Sequence, residues 1–134
     1  MKLRDLIEGP METVSPTTSL YDCASAMVTS GVGSMGIVTD GDFIGIITER
    51  DMLDAAAMRV DFEQAVVGNH MTRHPDVFSP SVEVEQVAEW LLETGYRHVP
   101  VVSDDIIAIL SIRDILAAVV DPGRVQVLMS GGDR

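Results

Sequence analysis

The chain has 134 residues, 46% of them hydrophobic and 22% charged, which is globular composition rather than that of a disordered segment. With 21 acidic against 9 basic residues the net charge is −12, a field that argues against nucleic acid and anionic membranes as partners. No apolar run approaches the ~18 residues of a membrane span, and Met1-Lys2-Leu3-Arg4-Asp5 lacks a signal peptide's apolar stretch, so a cytoplasmic protein is expected.

One cysteine, Cys23, allows neither an internal disulfide nor a cysteine-cluster metal site. Lys2 is the only lysine, so a bound anion has to be met by a few locally placed arginines.

Pro16-Thr17-Thr18-Ser19-Leu20 opens a predicted helix, with Ser19 as N-cap and Asp22 three positions on. Leu20, Cys23, Ala24, Met27 and Val28 recur at helical spacing, and Gly31 suits the left-handed position after the helix. Met35 to Thr39 reads as a short apolar strand, Asp40-Gly41 as a hairpin turn, and Phe43 to Ile47 as the returning strand. Thr48-Glu49-Arg50-Asp51 starts a second helix running through Ala56, and residues 57–70 read as a linker.

The same order then recurs. Gly31 and Gly95 are 64 apart, as are Pro16 and Pro80, while Asp51 and Asp114 are 63 apart, as are Thr48 and Ser111. The one-residue slip is expected in the turn, where Thr39 to Phe43 faces Ser103 to Ile106 and a length change costs little. Val82, Val87, Leu91 and Leu92 mark the second copy's first helix. Val99 to Ser103 and Ile106 to Leu110 are its strands, and Ser111 opens the helix that carries Ile115, Leu116 and Val119. The expected architecture is α/β (α+β), two pseudosymmetric βαββα repeats packed through their small sheets. The first spans 1–60, the second 61–121, and 122–134 form a C-terminal tail expected to be disordered.

Several constellations need weighing. Gly31-Val32-Gly33-Ser34-Met35-Gly36 has the glycine spacing of a dinucleotide loop, but it follows a helix and opens a strand, the reverse of what such a site requires. His70 and His74 are four apart, yet Pro75 breaks helical geometry and no third ligand is nearby, so no metal site is expected. Cys23 lies on a predicted apolar face with no His or carboxylate to activate it, so buried packing is expected.

Thr48-x-x-Asp51 and Ser111-x-x-Asp114 carry two compatible readings. As capping boxes, each hydroxyl bonds a first-turn amide and each carboxylate reaches back. As a ligand site, the helix mouth offers amides and a positive dipole end, and the carboxylate can accept both hydroxyls of a ribose diol. Arg97 and His98 enter the second copy's first apolar strand, either as an ordinary surface strand end or as an anion clamp; the first copy has Gly33 and Ser34 there.

Gly45-Ile46-Ile47-Thr48-Glu49-Arg50-Asp51-Met52-Leu53 and Ala108-Ile109-Leu110-Ser111-Ile112-Arg113-Asp114-Ile115-Leu116 resemble the signature end of a CBS domain. Gly68 to Pro75 resembles the family's opening, and Tyr96 to Val102 its middle strand. The resemblance covers roughly residues 5–120, and it implies a regulatory, non-enzymatic module that binds AMP, ADP, ATP or S-adenosylmethionine in clefts between two motifs. It also implies a homodimer acting on a regulated protein partner of unknown identity. The family's ribose carboxylate falls on Asp51 and Asp114, and its hydroxyl partner on Thr48 and Ser111.

By the same resemblance one cleft combines Thr48 and Asp51 with His74, Pro75, Arg97 and His98. The other combines Ser111 and Asp114 with Pro10, Met11, Gly33 and Ser34. The sequence departs from the pattern at Gly9-Pro10-Met11-Glu12, at Gly36 against Pro100, and at Ala108 against Gly45, which marks the Asp51 cleft as the occupied one. The alternative is a structural or protein-interaction module with empty clefts.

Overall fold

In the computed structural model, which describes residues 1–9 and 11–120, the chain forms two compact units. One is Met11–Asp76; the other joins the described residues 1–9 to residues 77–120. Pro10 and the expected tail over 122–134 lie outside the described residues.

The unit Met11–Asp76 contains β1 (Thr13–Val14), α1 (Leu20–Ser30), β2 (Ser34–Thr39), β3 (Asp42–Thr48), α2 (Glu49–Ala57) and β4 (Thr72–Arg73). Ser19 caps α1, its hydroxyl accepting the Asp22 N–H at 3.0 Å. Gly31 ends it at φ +68°, a conformation that a Cβ disfavours. β2 and β3 close around Asp40 (φ 51°) and Gly41 (φ 83°), the positive pair that a tight two-residue hairpin requires. The sheet order is β1-β2-β3-β4, with β1 parallel to β2 and the other pairs antiparallel. Leu20, Cys23, Met27, Met35, Ile37, Ile47, Ala55 and Val67 form the core; each larger apolar side chain there contributes roughly 1.5–3 kcal/mol.

The other unit contains α3 (Val84–Thr94), β5 (His98–Val102), β6 (Ile107–Ser111) and α4 (Ile112–Val120). Phe78 bridges Val101 in parallel, where Val14 pairs with Ile37 in the first unit, 64 residues earlier on both sides. Leu3, Leu6, Val84, Val87, Leu91, Val99, Val101, Leu110, Ile115 and Ala118 are its core. Trp90 meets Phe78 edge-on at 4.9 Å and Tyr96 at 5.3 Å.

The two lead-in segments are exchanged between the repeats. Leu3–Leu6 and Val67–Asn69 are both 3₁₀ turns, and each belongs to the unit of the other repeat. Leu3 N–H donates to the Val82 carbonyl at 3.0 Å and Arg4 N–H to Pro80; Val67 N–H donates to Thr18 at 2.9 Å and Gly68 N–H to Pro16. Residues 57–70 are therefore more than a connector. Val67 is fully buried, and Gly68 has no room for a Cβ, which would lie 2.9 Å from the Pro16 carbonyl oxygen.

Two expectations need correcting. The one-residue slip is not in the turn, since both hairpins turn on two residues, Asp40-Gly41 and Asp104-Asp105. It is a β-bulge in β3: Ile37 pairs with Gly45 but Val38 with Phe43, leaving Ile44 as the extra residue. Val28 and Leu92 are not on buried faces either; they are 82% and 86% exposed. The buried stripes run Leu20-Cys23-Met27 and Val84-Val87-Leu91, and the next position along each helix turns past the edge of the stripe. Among the described residues no helix is long and apolar enough to cross a membrane.

Candidate functional site

Thr48 ends β3 and is the N-cap of α2, with extended dihedrals (φ −123°, ψ 166°). Its hydroxyl accepts the Asp51 N–H at 3.3 Å. Asp51 in return accepts the Thr48 N–H at 2.8 Å and the Thr48 hydroxyl at 3.1 Å, both on Oδ2. The capping box is thus complete, and Oδ1 stays out of it. The N–H of Glu49, first in the helix, donates to the Gly33 carbonyl at 2.9 Å. Three of the four amides at the helix start, those of Thr48, Glu49 and Asp51, are therefore already satisfied, which narrows what the helix mouth can offer an anion.

The second repeat builds the same corner. Asp114 Oδ2 accepts the Ser111 N–H at 2.8 Å, the Ser111 hydroxyl accepts the Asp114 N–H at 3.2 Å, and Ile112 N–H donates to the Arg97 carbonyl at 2.8 Å. Strand register supplies a further neighbour in each unit, with Ser34 opposite Thr48 and His98 opposite Ser111. Ser34 is buried, and it is the only buried polar side chain among the described residues.

The sequence alone did not reveal the backbone roles of Gly33 and Arg97. The near-equal spacings of Gly33 to Glu49 and Arg97 to Ile112, which differ by one residue because of the bulge, are the signal that could have shown them. The polar corners also differ in electrostatics: Gly33 and Ser34 are uncharged, whereas Arg97, exposed, and His98, half-buried, bring basic groups to the Ser111–Asp114 corner.

His74 and Pro75 follow β4, with His74 exposed and in the left-handed region at φ 47°, its N–H donating to the Ile44 carbonyl at 3.1 Å. Met11 is half-buried at the entry to β1. Gly31 to Gly36 caps α1 and enters β2, the order that rules out a dinucleotide loop. Among the described residues no group of three or more His, Cys, Asp or Glu side chains is placed to hold a metal. Cys23 is fully buried, and desolvation, reinforced by the negative charge of Glu12, pushes its thiol up to about 11.

An open hollow of about 450 Å³ lies between α1 and the start of α2, lined by Ala24, Met27, Val28, Val32, Glu49 and Met52 among others. It includes neither Thr48 nor Asp51. Its lining is mostly apolar and its one carboxylate is Glu49, so it is unsuited to phosphate.

Paired repeats that share the order helix, strand, strand, helix, each with a carboxylate returned onto the hydroxyl residue at a helix mouth, define the class. The CBS domain profile matches residues 3–58 and again 67–121, and the chain belongs to the CBS-domain family as a tandem pair. It is 28% identical over 116 residues to an uncharacterised protein of Methanocaldococcus jannaschii, covering 85% of this chain and 41% of that one. It is also 28% identical over 128 residues to a 17.7 kDa protein of Acidianus ambivalens, covering 93% of this chain and 77% of that one. The chain thus spans less than half the length of the first of these relatives.

Among solved structures, CBSX2 in complex with AMP superposes with a TM-score of 0.77 at 27% identity, over 90% of this chain and 97% of that one. The CBS domain pair of protein MJ0100, in complex with 5′-methylthioadenosine and S-adenosylmethionine, superposes with a TM-score of 0.78 at 24% identity, over 89% of this chain and 95% of that one. At that identity the second likeness shows the fold alone.

Proposed function

We propose that this chain is a regulatory sensor that binds an adenosine-containing ligand and passes the binding event to a partner protein. The observation that carries the reading is the twice-built corner, Thr48 with Asp51 and Ser111 with Asp114. In it a carboxylate fixed by its own cap keeps Oδ1 for a ligand hydroxyl, so little side-chain entropy is lost on binding. The AMP held by CBSX2 supports an adenylate as the ligand class.

The Asp51 corner is proposed to hold the ribose of the occupied site. His74 and Pro75 from the same unit are assigned to the remainder of the ligand on the family resemblance, which also implies Arg97 and His98. Arg97 and His98 favour a phosphate over the sulfonium end of S-adenosylmethionine. Ligand binding that favours one arrangement of the two repeats is linked to partner affinity by the difference it makes between the two states. No step in this role requires bond chemistry.

Thermal denaturation with AMP, ADP, ATP and S-adenosylmethionine tests the reading. A ligand that binds only the folded chain adds about 2.7 kcal/mol at a hundred times its Kd, which moves the midpoint by several degrees. A panel with no shift supports the second reading, a structural or interaction module. The observation favouring that one is that both caps are complete without a ligand.

Pairing with a second copy is part of the proposal. Val28 and Leu92, Val32 and Tyr96, and Leu53 and Leu116 are exposed apolar residues at equivalent repeat positions. A second copy presents the same apolar positions in return, as a closed twofold pairing requires. Sedimentation at micromolar concentration reads the stoichiometry directly.

A further inference from the structure

The two repeats differ most in how β3 and β6 end their sheets. In the first repeat β4 pairs with β3, Arg73 opposite Gly45 and Thr72 opposite Ile46. Two local features make that possible. The bulge at Ile44 presents a carbonyl that accepts the His74 N–H at 3.1 Å. Gly45 has no Cβ; one placed there would lie 2.8 Å from the Thr72 carbonyl oxygen and 2.7 Å from the Met71 sulfur. Met71 can swing aside, but a backbone carbonyl can yield only if the whole strand moves.

The second repeat has neither feature. The register from His98–Ser111 to Val102–Ile107 is unbroken, so there is no bulge, and the residue corresponding to Gly45 is Ala108, which is buried. Ile7 to Gly9, which correspond to Met71 to Arg73, form no strand on β6, and that sheet has two strands among the described residues.

We propose that this one-methyl difference makes Gly45 a positioning residue. It lets the first repeat's sheet take up the strand that leads into the second repeat and so fixes His74 and Pro75, while the Ala108 methyl denies the second repeat's sheet the equivalent strand. Each chain therefore holds one adenosine ligand, on the Asp51 side. The stoichiometry rests on the nucleotide-binding reading above; the strand claim does not.

Hydrogen exchange on the ligand-free chain tests the strand, and calorimetry with AMP, ATP and S-adenosylmethionine in turn tests the consequence. Gly45→Ala is expected to lose roughly tenfold or more of the exchange protection over residues 71–74 while α1 and β2 keep theirs, a local opening that general destabilisation does not produce. Ala108→Gly, which removes a methyl and carries the test if Gly45→Ala fails to fold, is expected to raise protection over residues 7–9. Unchanged exchange at these segments overturns the strand claim.

In calorimetry the wild type is expected to bind one ligand per chain, and Gly45→Ala to bind it at least roughly tenfold more weakly, since a mispositioned site loses affinity with its preorganisation. Two ligands per chain, or wild-type affinity in Gly45→Ala, overturns the inference and leaves nucleotide binding standing. A wild type that binds none of the three overturns the functional reading and the stoichiometry with it, and exchange alone then decides the role of Gly45.

Discussion

Leu3 and Val67 hold the same place in two repeats 64 residues apart: each is fully buried, and each donates its N–H across to the strand-to-helix approach of the other repeat, to Val82 and to Thr18. The core of each unit is therefore completed by a segment that precedes a different repeat in sequence. Neither repeat, cut at its sequence boundary, carries its whole core.

Leu3→Ala is the direct consequence. Removing a side chain from a fully buried site leaves a cavity, with an expected loss of about 2–5 kcal/mol. Trp90, the only tryptophan, packs in the same unit and reports the unfolding by fluorescence in a urea titration. An unchanged midpoint would show that the N-terminal segment is not docked in solution.

Gly31 and Gly95 are the two αL helix ends, at φ 68° and 76°, and a Cβ at either meets nothing within 4 Å. Alanine there is expected to cost only the backbone term, about 1 kcal/mol at each. Gly68→Ala is expected to cost more than either, because its methyl meets the Pro16 carbonyl.

These particulars show what the sequence made legible. Gly31, Gly95, Ser19 and Asp40-Gly41 announce their elements because each is a local device whose residue type is dictated by one backbone conformation. The Thr48–Asp51 and Ser111–Asp114 caps were readable for the same reason. The bulge at Ile44 was not, since an extra residue in a strand leaves the turn signal intact and is defined only by its partner strand. The exchange of lead-ins was equally hidden, because Leu3 and Val67 look like ordinary apolar residues until their distant acceptors are known. Val28 and Leu92 were misplaced because helical spacing gives a stripe but not its width.

Thr48→Ala and Ser111→Ala remove equivalent caps and are each expected to cost about 1 kcal/mol without any ligand present. Thr48→Ser, which keeps the hydroxyl, is expected to stay close to wild type. A chain indifferent to Thr48→Ala in thermal denaturation would contradict the capping role.

Cys23 titrates at about 11 in the folded chain against 9.0 for an ordinary thiol, through desolvation first and Glu12 second. Between pH 9 and 11 the unfolded chain ionises and the folded chain does not, so this contribution is complete below pH 9 and is lost as pH rises through that window. The loss is on the order of 2–3 kcal/mol. Cys23→Ser is expected to flatten that part of the stability profile, and the native thiol to react with a disulfide reagent at pH 8 only on unfolding. Rapid labelling of the native chain would contradict the burial.

Whether a carboxylate at a helix mouth grips the ligand's ribose is settled by titrating AMP into the wild type, Asp51→Ala and Asp114→Ala by calorimetry. A hydrogen bond to a charged group is worth roughly 1.5–3 kcal/mol, so Asp51→Ala is expected to weaken binding by at least about tenfold, with Asp114→Ala near the wild type. Binding in Asp51→Ala as tight as in the wild type, or equal losses in both variants, would contradict it.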